Sequence, residues 1–258
     1  MSENHIDEPQ RFLGGDTPRV ALITGAGRGI GKALALGLGN RGCSVWCVSR
    51  SEEQVREVAR EIDALGGKGI PRAADVTQDD QMQALGREVL QESQKLDILV
   101  ANAGVNRDRR PIDQSDPAGF RATIDTNLFG VYSAVRGSLP ALRAAGGGHI
   151  VVIGSGIGIR GLPNTGAYAA SKAAVRIFAH VLSGELSPEG IAVNELIPGP
   201  VRTELTRSLW EAKKGAFGIE GEWIKEPEDV VPFFLGIVDR DPKHSPSGQT
   251  FSLTRRVL

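Results

Sequence analysis

Short apolar runs recur along this chain, each followed by a longer amphipathic stretch, and this alternation restricts the fold more than any other feature. The runs read "RVALIT" (19–24), "SVWCVS" (44–49), "GKGIPRAADV" (67–76), "LDILVANAG" (96–104), "GGGHIVVIGS" (146–155), "GIAVNELIPG" (190–199) and "GQTFSL" (248–253). Helical periodicity fills the gaps: after Gly31, over 51–66, 78–93 and 118–144, from "YAASK" to about 186, and again after Pro227. Ser51, with Gln54 three residues on, opens one helix as a capping box, and Gly66 closes it. A strand returning parallel to its predecessor needs a crossover of about a dozen residues or more. Strands spaced by helices therefore predict βαβ units and a parallel sheet. Right-handed crossovers place helices on both faces. The expectation is an α/β fold with one doubly wound parallel sheet of about seven strands. It forms a single domain over 18–258, after a flexible tail at 1–17.

The bulk numbers remove several classes of function. Thirty basic and 31 acidic residues leave a formal net charge of −1. That balance offers no electrostatic reason to expect a nucleic acid or an anionic membrane as partner. No apolar run approaches the ~20 residues that span a bilayer. The opening "MSENHIDEPQRFLGGDTP" is polar and acidic, unlike a signal peptide. Cys43 and Cys47 are the only cysteines. Four residues of strand separate their Cα atoms by about 13 Å, beyond the ~7 Å reach of a disulfide. Two buried thiols in a reducing, cytoplasmic location are expected. His5, His149, His180 and His244 are scattered without metal-ligand spacing, so no metal site is expected.

"VALITGAGRGIG" is a strand, a glycine-rich turn and a helix start. Glycines let backbone approach a pyrophosphate, and the helix N-terminus offers N–H groups and a positive dipole end. The context is what a Rossmann-type, dinucleotide-binding sheet requires, with a plain tight turn as the alternative. The spacing here is T-G-x-x-x-G-x-G, carried by Thr24, Gly25, Gly29 and Gly31, with Ile30 between. An acidic residue at the end of the second strand would bond the ribose 2′-OH of NAD. This chain instead has Ser49 and Arg50 there, and Arg28 inside the turn. Two guanidiniums favour a 2′-phosphate, so NADP(H) is expected over NAD(H). Two solvated arginines are the plainer alternative.

"YAASK" places Tyr168 and Lys172 one helical turn apart, on one face. Together with "TGAGRGIG" (24–31), "NAG" (102–104), Asn127 of "DTNLFG", Ser155 and "PGPVRT" (198–203), in this order, the chain resembles the short-chain dehydrogenase/reductase family over 19–253. The resemblance implies Asn127, Ser155, Tyr168 and Lys172 as the catalytic set. Tyr168 would act as general acid or base, its high pKa lowered by the neighbouring Lys172 cation. Lys172 would also bond the nicotinamide ribose, and Ser155 would donate to the substrate oxygen. Asn127 would anchor a water that links Lys172 to solvent. Asp75 and Val76 would border the adenine. Asn102, Ala103 and Gly104 would line the middle of the cofactor, with bracing of the sheet an equal reading for Asn102. Pro198, Gly199, Val201 and Thr203 would meet the nicotinamide amide and the pyrophosphate. Tyr132, on the long helix that the family uses for subunit packing, reads as core or interface.

Two segments are expected to shape the substrate pocket: the loop 156–166, with Ile157, Arg160 and Leu162, and a lid at about 204–224, with Leu205, Leu209, Trp210, Phe217 and Trp223. Apolar walls suit a small or medium, largely apolar ketone. Arg160 would meet an anionic group or stay solvated, and Gly215, Gly218 and Gly221 suggest a hinged lid. The leading function is NADP(H)-dependent interconversion of a carbonyl and a secondary alcohol, as in a carbonyl reductase. A 3-oxoacyl-[acyl-carrier-protein] reductase is the alternative, although only Arg143 stands where that branch carries basic residues. A non-catalytic NADP(H)-binding sensor or scaffold is the alternative from another class. A small-molecule substrate and a homo-oligomer, tetramer or dimer, follow from the resemblance. Arg255 and Arg256 would reach a neighbouring subunit or lie in solvent.

Overall fold

A computed structural model describes residues 18–207 and 222–254. Each of the seven apolar runs forms a strand: β1 (Val20–Thr24), β2 (Ser44–Ser49), β3 (Lys68–Ala73), β4 (Ile98–Ala101), β5 (Gly148–Ile153), β6 (Ile191–Ile197) and β7 (Thr250–Ser252). They form one sheet in the order β3-β2-β1-β4-β5-β6-β7, and every pairing is parallel. Pro71 lies within β3, where an edge strand tolerates a missing N–H donor.

The helices are α1 (Gly29–Gly39), α2 (Glu52–Ala64), α3 (Asp79–Ser93), α4 (Pro117–Ile124), α5 (Gly130–Ala144), the short α6 (Ile157–Arg160), α7 (Gly166–Leu186) and α8 (Val231–Val238). Alternation along the strands splits the core in two. Leu22, Trp46, Leu99, Ile150 and Val152 face one side with side chains of α3, α5 and α7. Ala21, Ile23, Val45, Val100 and Val151 face the other with α1, α2 and α8. Each large aliphatic side chain buried this way stabilises the fold by about 1.5–3 kcal/mol. Cys43 and Cys47 are unpaired and sit in the second layer. Burial pushes both thiols up to about 12, so they are inert packing.

The strand order reverses at β1, which pairs with β2 on one side and β4 on the other. A crevice opens beyond the carboxyl ends of the strands at such a switch point. No helix among the described residues is long and apolar enough to cross a membrane. No cluster of metal-ligating side chains occurs among them either.

One predicted element is divided. The single helix expected over 118–144 is broken by a π turn at Asp125–Phe129. The wide turn carries Asn127 inward, fully buried, and π turns are frequent at functional sites. The tail at 1–17, the lid residues Leu209, Trp210, Gly215, Phe217, Gly218 and Gly221, and Arg255 and Arg256 lie outside the described residues.

Candidate active site

A cavity of about 1050 Å³ lies beyond the carboxyl ends of β1, β4, β5 and β6. Gly25, Asn102, Ser155 and Pro198, each just past one of these strands, line it.

At one end the walls are mostly backbone. The β1 strand leads into the turn at Gly25, and α1 begins at Gly29. Arg28 precedes α1 in extended conformation, without a side-chain cap, and the first turn holds no acidic residue. Its N–H groups are therefore left to meet an anion. A Cβ at Gly31 would lie 2.3 Å from the Gly25 carbonyl oxygen, so only glycine fits there. Thr24 is buried and does not line the cavity. Its hydroxyl accepts from the N–H groups of Asn102 (3.0 Å) and Ala103 (3.1 Å). Asn102 Nδ2 donates in return to the carbonyls of Thr24 (2.9 Å) and Gly25 (3.2 Å). These two side chains lock the glycine turn onto β4, which is the bracing role for Asn102.

Beyond the turn, Ser49, Arg50, Asp75 and Val76 line the wall. Arg28 and Arg50 are both exposed. The Asp75 carboxylate accepts from the N–H and hydroxyl of Thr77. A dinucleotide fits this cradle: close-approach glycines, an uncapped helix start and two cations.

At the other end the walls are side chains. Ser155 stands past β5 and lines the cavity with Tyr168 of α7, near enough for its hydroxyl to favour the phenolate. One turn further, the Lys172 ammonium donates to the Ile153 carbonyl at 2.6 Å and lies 5.9 Å from the centre of the Tyr168 ring. Asn127 is tied to the loop after β4: Oδ1 accepts from Val105 N–H (2.8 Å) while Nδ2 donates to Val105 O (2.9 Å) and Ser171 Oγ (3.0 Å). Both amide hydrogens are used, leaving one Oδ1 lone pair for a water.

The comparisons with known proteins decide the family. The model for short chain dehydrogenases matches residues 19–214. The chain belongs to that family. It is 34% identical over 223 residues to cyclohexanol dehydrogenase of Acinetobacter sp. (strain SE19), covering 86% of this chain and 88% of that one. It is 35% identical over 198 residues to the 3-oxoacyl-[acyl-carrier-protein] reductase FabG of Pseudomonas aeruginosa, covering 77% and 80%. A solved structure of a putative NAD(P)-dependent gluconate 5-dehydrogenase from Beutenbergia cavernae, with bound NADP, superposes with a TM-score of 0.83 at 32% identity, covering 95% and 96%.

Two features of this short-chain dehydrogenase depart from the sequence expectation. The first is the acidity of Tyr168. Its pKa is raised, because burial outweighs the Ser155 hydroxyl and a nearby positive charge. That charge belongs to Arg109, not to Lys172. Lys172 is itself pushed down to about 8 by burial, against the pull of Glu195. A lysine enclosed with a phenol loses charge as readily as it imparts acidity.

The second is the substrate wall. Of the expected pocket residues within the described chain, Leu205 lines the cavity, whereas Ile157, Arg160, Leu162 and Trp223 do not. The segment 156–162 turns into α6, which packs on α7 so closely that a Cβ at Gly158 would strike Lys172 backbone. In its place the loop after β4 contributes Asn106, Arg107 and Arg109. Arg109 donates to the Leu205 carbonyl, fastening this loop to the turn at Glu204–Thr206. Nothing in the local sequence pattern separates Arg109 from its neighbours Arg107 and Arg110. Only the strand order brings it opposite Tyr168.

Proposed function

We propose that this short-chain dehydrogenase interconverts a ketone and a secondary alcohol with NADP(H), with Tyr168 as general acid and base. The observation that carries this reading is that Ser155, Tyr168 and Lys172 line one cavity, which continues to an uncapped helix start. When bound, a nicotinamide supplies the hydride for reduction or takes it in oxidation. In reduction, Tyr168 gives its phenolic proton to the carbonyl oxygen while the Ser155 hydroxyl donates to the same atom and holds the developing charge. Lys172 bonds the cofactor ribose and restores the phenol's proton, and Asn127 positions the water behind it. Proton transfer of this kind contributes about 10²–10⁴-fold.

Arg28 and Arg50 support NADP(H) over NAD(H), as does the NADP bound in the B. cavernae neighbour. The cofactor contacts assigned to Ile30, Ala103, Gly104, Pro198, Gly199, Val201 and Thr203 are supported by their places on the cavity, whereas Thr24 acts through the bracing of the turn. The substrate is a small or medium ketone, held between Leu205 and the loop after β4. A carrier-bound thioester is the weaker reading, because Arg143 is spent on Glu189 in a two-bond ion pair of 2.5 and 2.8 Å. A homo-oligomer is supported by an exposed strip of Phe129, Tyr132, Ile177 and Val181 on the π turn, α5 and α7.

The test is a panel of ketones and alcohols, with free and carrier-bound 3-oxoacyl thioesters among them, followed at the NADPH absorbance band. Tyr168→Phe should bind NADPH as the wild type does and lose about 10²-fold or more in turnover. Turnover within a few-fold of wild type would sink the mechanism.

A further inference from the structure

The strand β6 is buried along its whole length, yet it carries a carboxylate, Glu195, at 2% exposure. A charge in the middle of a parallel strand is costly unless it is paired. Its Oε2 accepts from the Thr250 hydroxyl of β7 at 2.8 Å and lies 3.9 Å from Arg176 Nε. Its Oε1 has no hydrogen-bond partner. That oxygen lies against the backbone past β5: a Cβ at Gly154 would sit 2.0 Å from it. The preceding carbonyl, Ile153, is the one that holds Lys172 Nζ. Lys172 and Glu195 thus press on consecutive residues of one strand end. Tyr168, Lys172, Arg176 and His180 follow at four-residue spacing on α7, so one helix face aligns with this carboxylate.

We propose that Glu195 is a positioning residue for Lys172, a buried counter-charge beneath the Ile153–Gly154 peptide that keeps the lysine protonated at working pH. This inference rests on the role given to Lys172 above. Burial favours the neutral amine, and Glu195 is the charge found to oppose it. The groups that face Glu195 are Lys172, Arg176 and His180 from α7 and Thr250 from β7. Its own carboxyl is held above the ordinary carboxylate range, because burial outweighs the Thr250 bond and the three cations that draw it down. The sign follows: Lys172 is charged below about 8 and loses its charge above. Without the Glu195 charge that loss begins at lower pH.

The direct test is an NMR titration of Lys172 with carbon-labelled lysine, its signal identified by its disappearance in Lys172→Arg. It needs neither substrate nor cofactor, so its failure is separable from failure of the proposed reaction. The wild-type midpoint should lie near 8, and Glu195→Gln, which keeps shape and an acceptor for Thr250, should lower it by about one pH unit. In turnover, the alkaline limb of kcat/KM for ketone reduction should move acid-ward by the same amount and recover at lower pH. A merely structural role would lower the rate at every pH. Arg176→Gln, which removes a cation and keeps the carboxylate, should leave the midpoint in place or raise it, and serves alone if Glu195→Gln does not fold. An unmoved midpoint in Glu195→Gln, or a fall in Arg176→Gln, would overturn the proposal.

Discussion

At the glycine-turn end, the cavity is walled by backbone that β1 and β4 hold rigidly, whereas at the Tyr168 end it is walled by side chains gathered from beyond β5, α7, the loop after β4 and the turn at Glu204–Thr206. The first end needs little beyond small residues and a helix start, because N–H groups and a dipole recognise a phosphate of any chain. The second end needs particular charges at particular places, and each burial carries a cost. Tyr168 holds its proton more tightly than a free phenol, and Lys172 holds its own less tightly than a free amine. The difference teaches that a phosphate cradle can rest on local backbone geometry, while the proposed chemistry depends on a few neighbours that correct the effects of enclosure.

Substitutions at the two ends should therefore fail differently. The largest effect is expected from Ser155→Ala, which removes the hydroxyl that shares the cavity with Tyr168. It should cost about 10²–10³-fold in kcat and leave NADPH affinity, read by nucleotide fluorescence, unchanged. Arg50→Asp should do the reverse: kcat is retained, and the NADPH-to-NADH preference in kcat/KM falls by about 10–100-fold, the worth of a hydrogen-bonded charge. An unaltered ratio would mean that the exposed arginines are only solvated. The smallest effect belongs to Arg109→Gln. With that cation gone, the Tyr168 phenol gives up its proton less readily, so alcohol oxidation at neutral pH should slow by roughly a few-fold while ketone reduction is spared. Equal losses in both directions would assign Arg109 to holding the Leu205 turn alone.

Much of the first end could be read from the sequence because its signal is local. Gly25, Gly29 and Gly31 follow a strand and open a helix, and the spacing carries the geometry. The alternation of strands and helices likewise yields the parallel sheet without tertiary information. The second end is assembled across long stretches of chain, and there local reading went astray. The segment 156–162 reads as an apolar pocket wall, but its Ile157, Arg160 and Leu162 do not line the cavity, and Gly158 sits tight against α7. Arg109 sits in a loop with other arginines and gains its meaning only from β4 lying beside β5. Asn127 reads as part of one long helix, and the π turn that buries it has no periodic signature. Glu195 is the instructive omission, since a carboxylate inside "IAVNELI" is visible in the sequence and breaks the expected apolar run of a parallel strand.

The account stands on hydride transfer completed by the Tyr168 proton. Its most direct measurement is a single turnover of ketone with NADPH deuterated at the transferring position of nicotinamide C4, using cyclohexanone and a free 3-oxoacyl thioester as probes, with mass analysis of the alcohol. The wild type should place one deuterium on the carbinol carbon, and Tyr168→Phe, though it binds the same cofactor, should form almost none of this product. Bound NADPH that is never oxidised by any ketone, or an alcohol formed without deuterium at that carbon, would contradict it.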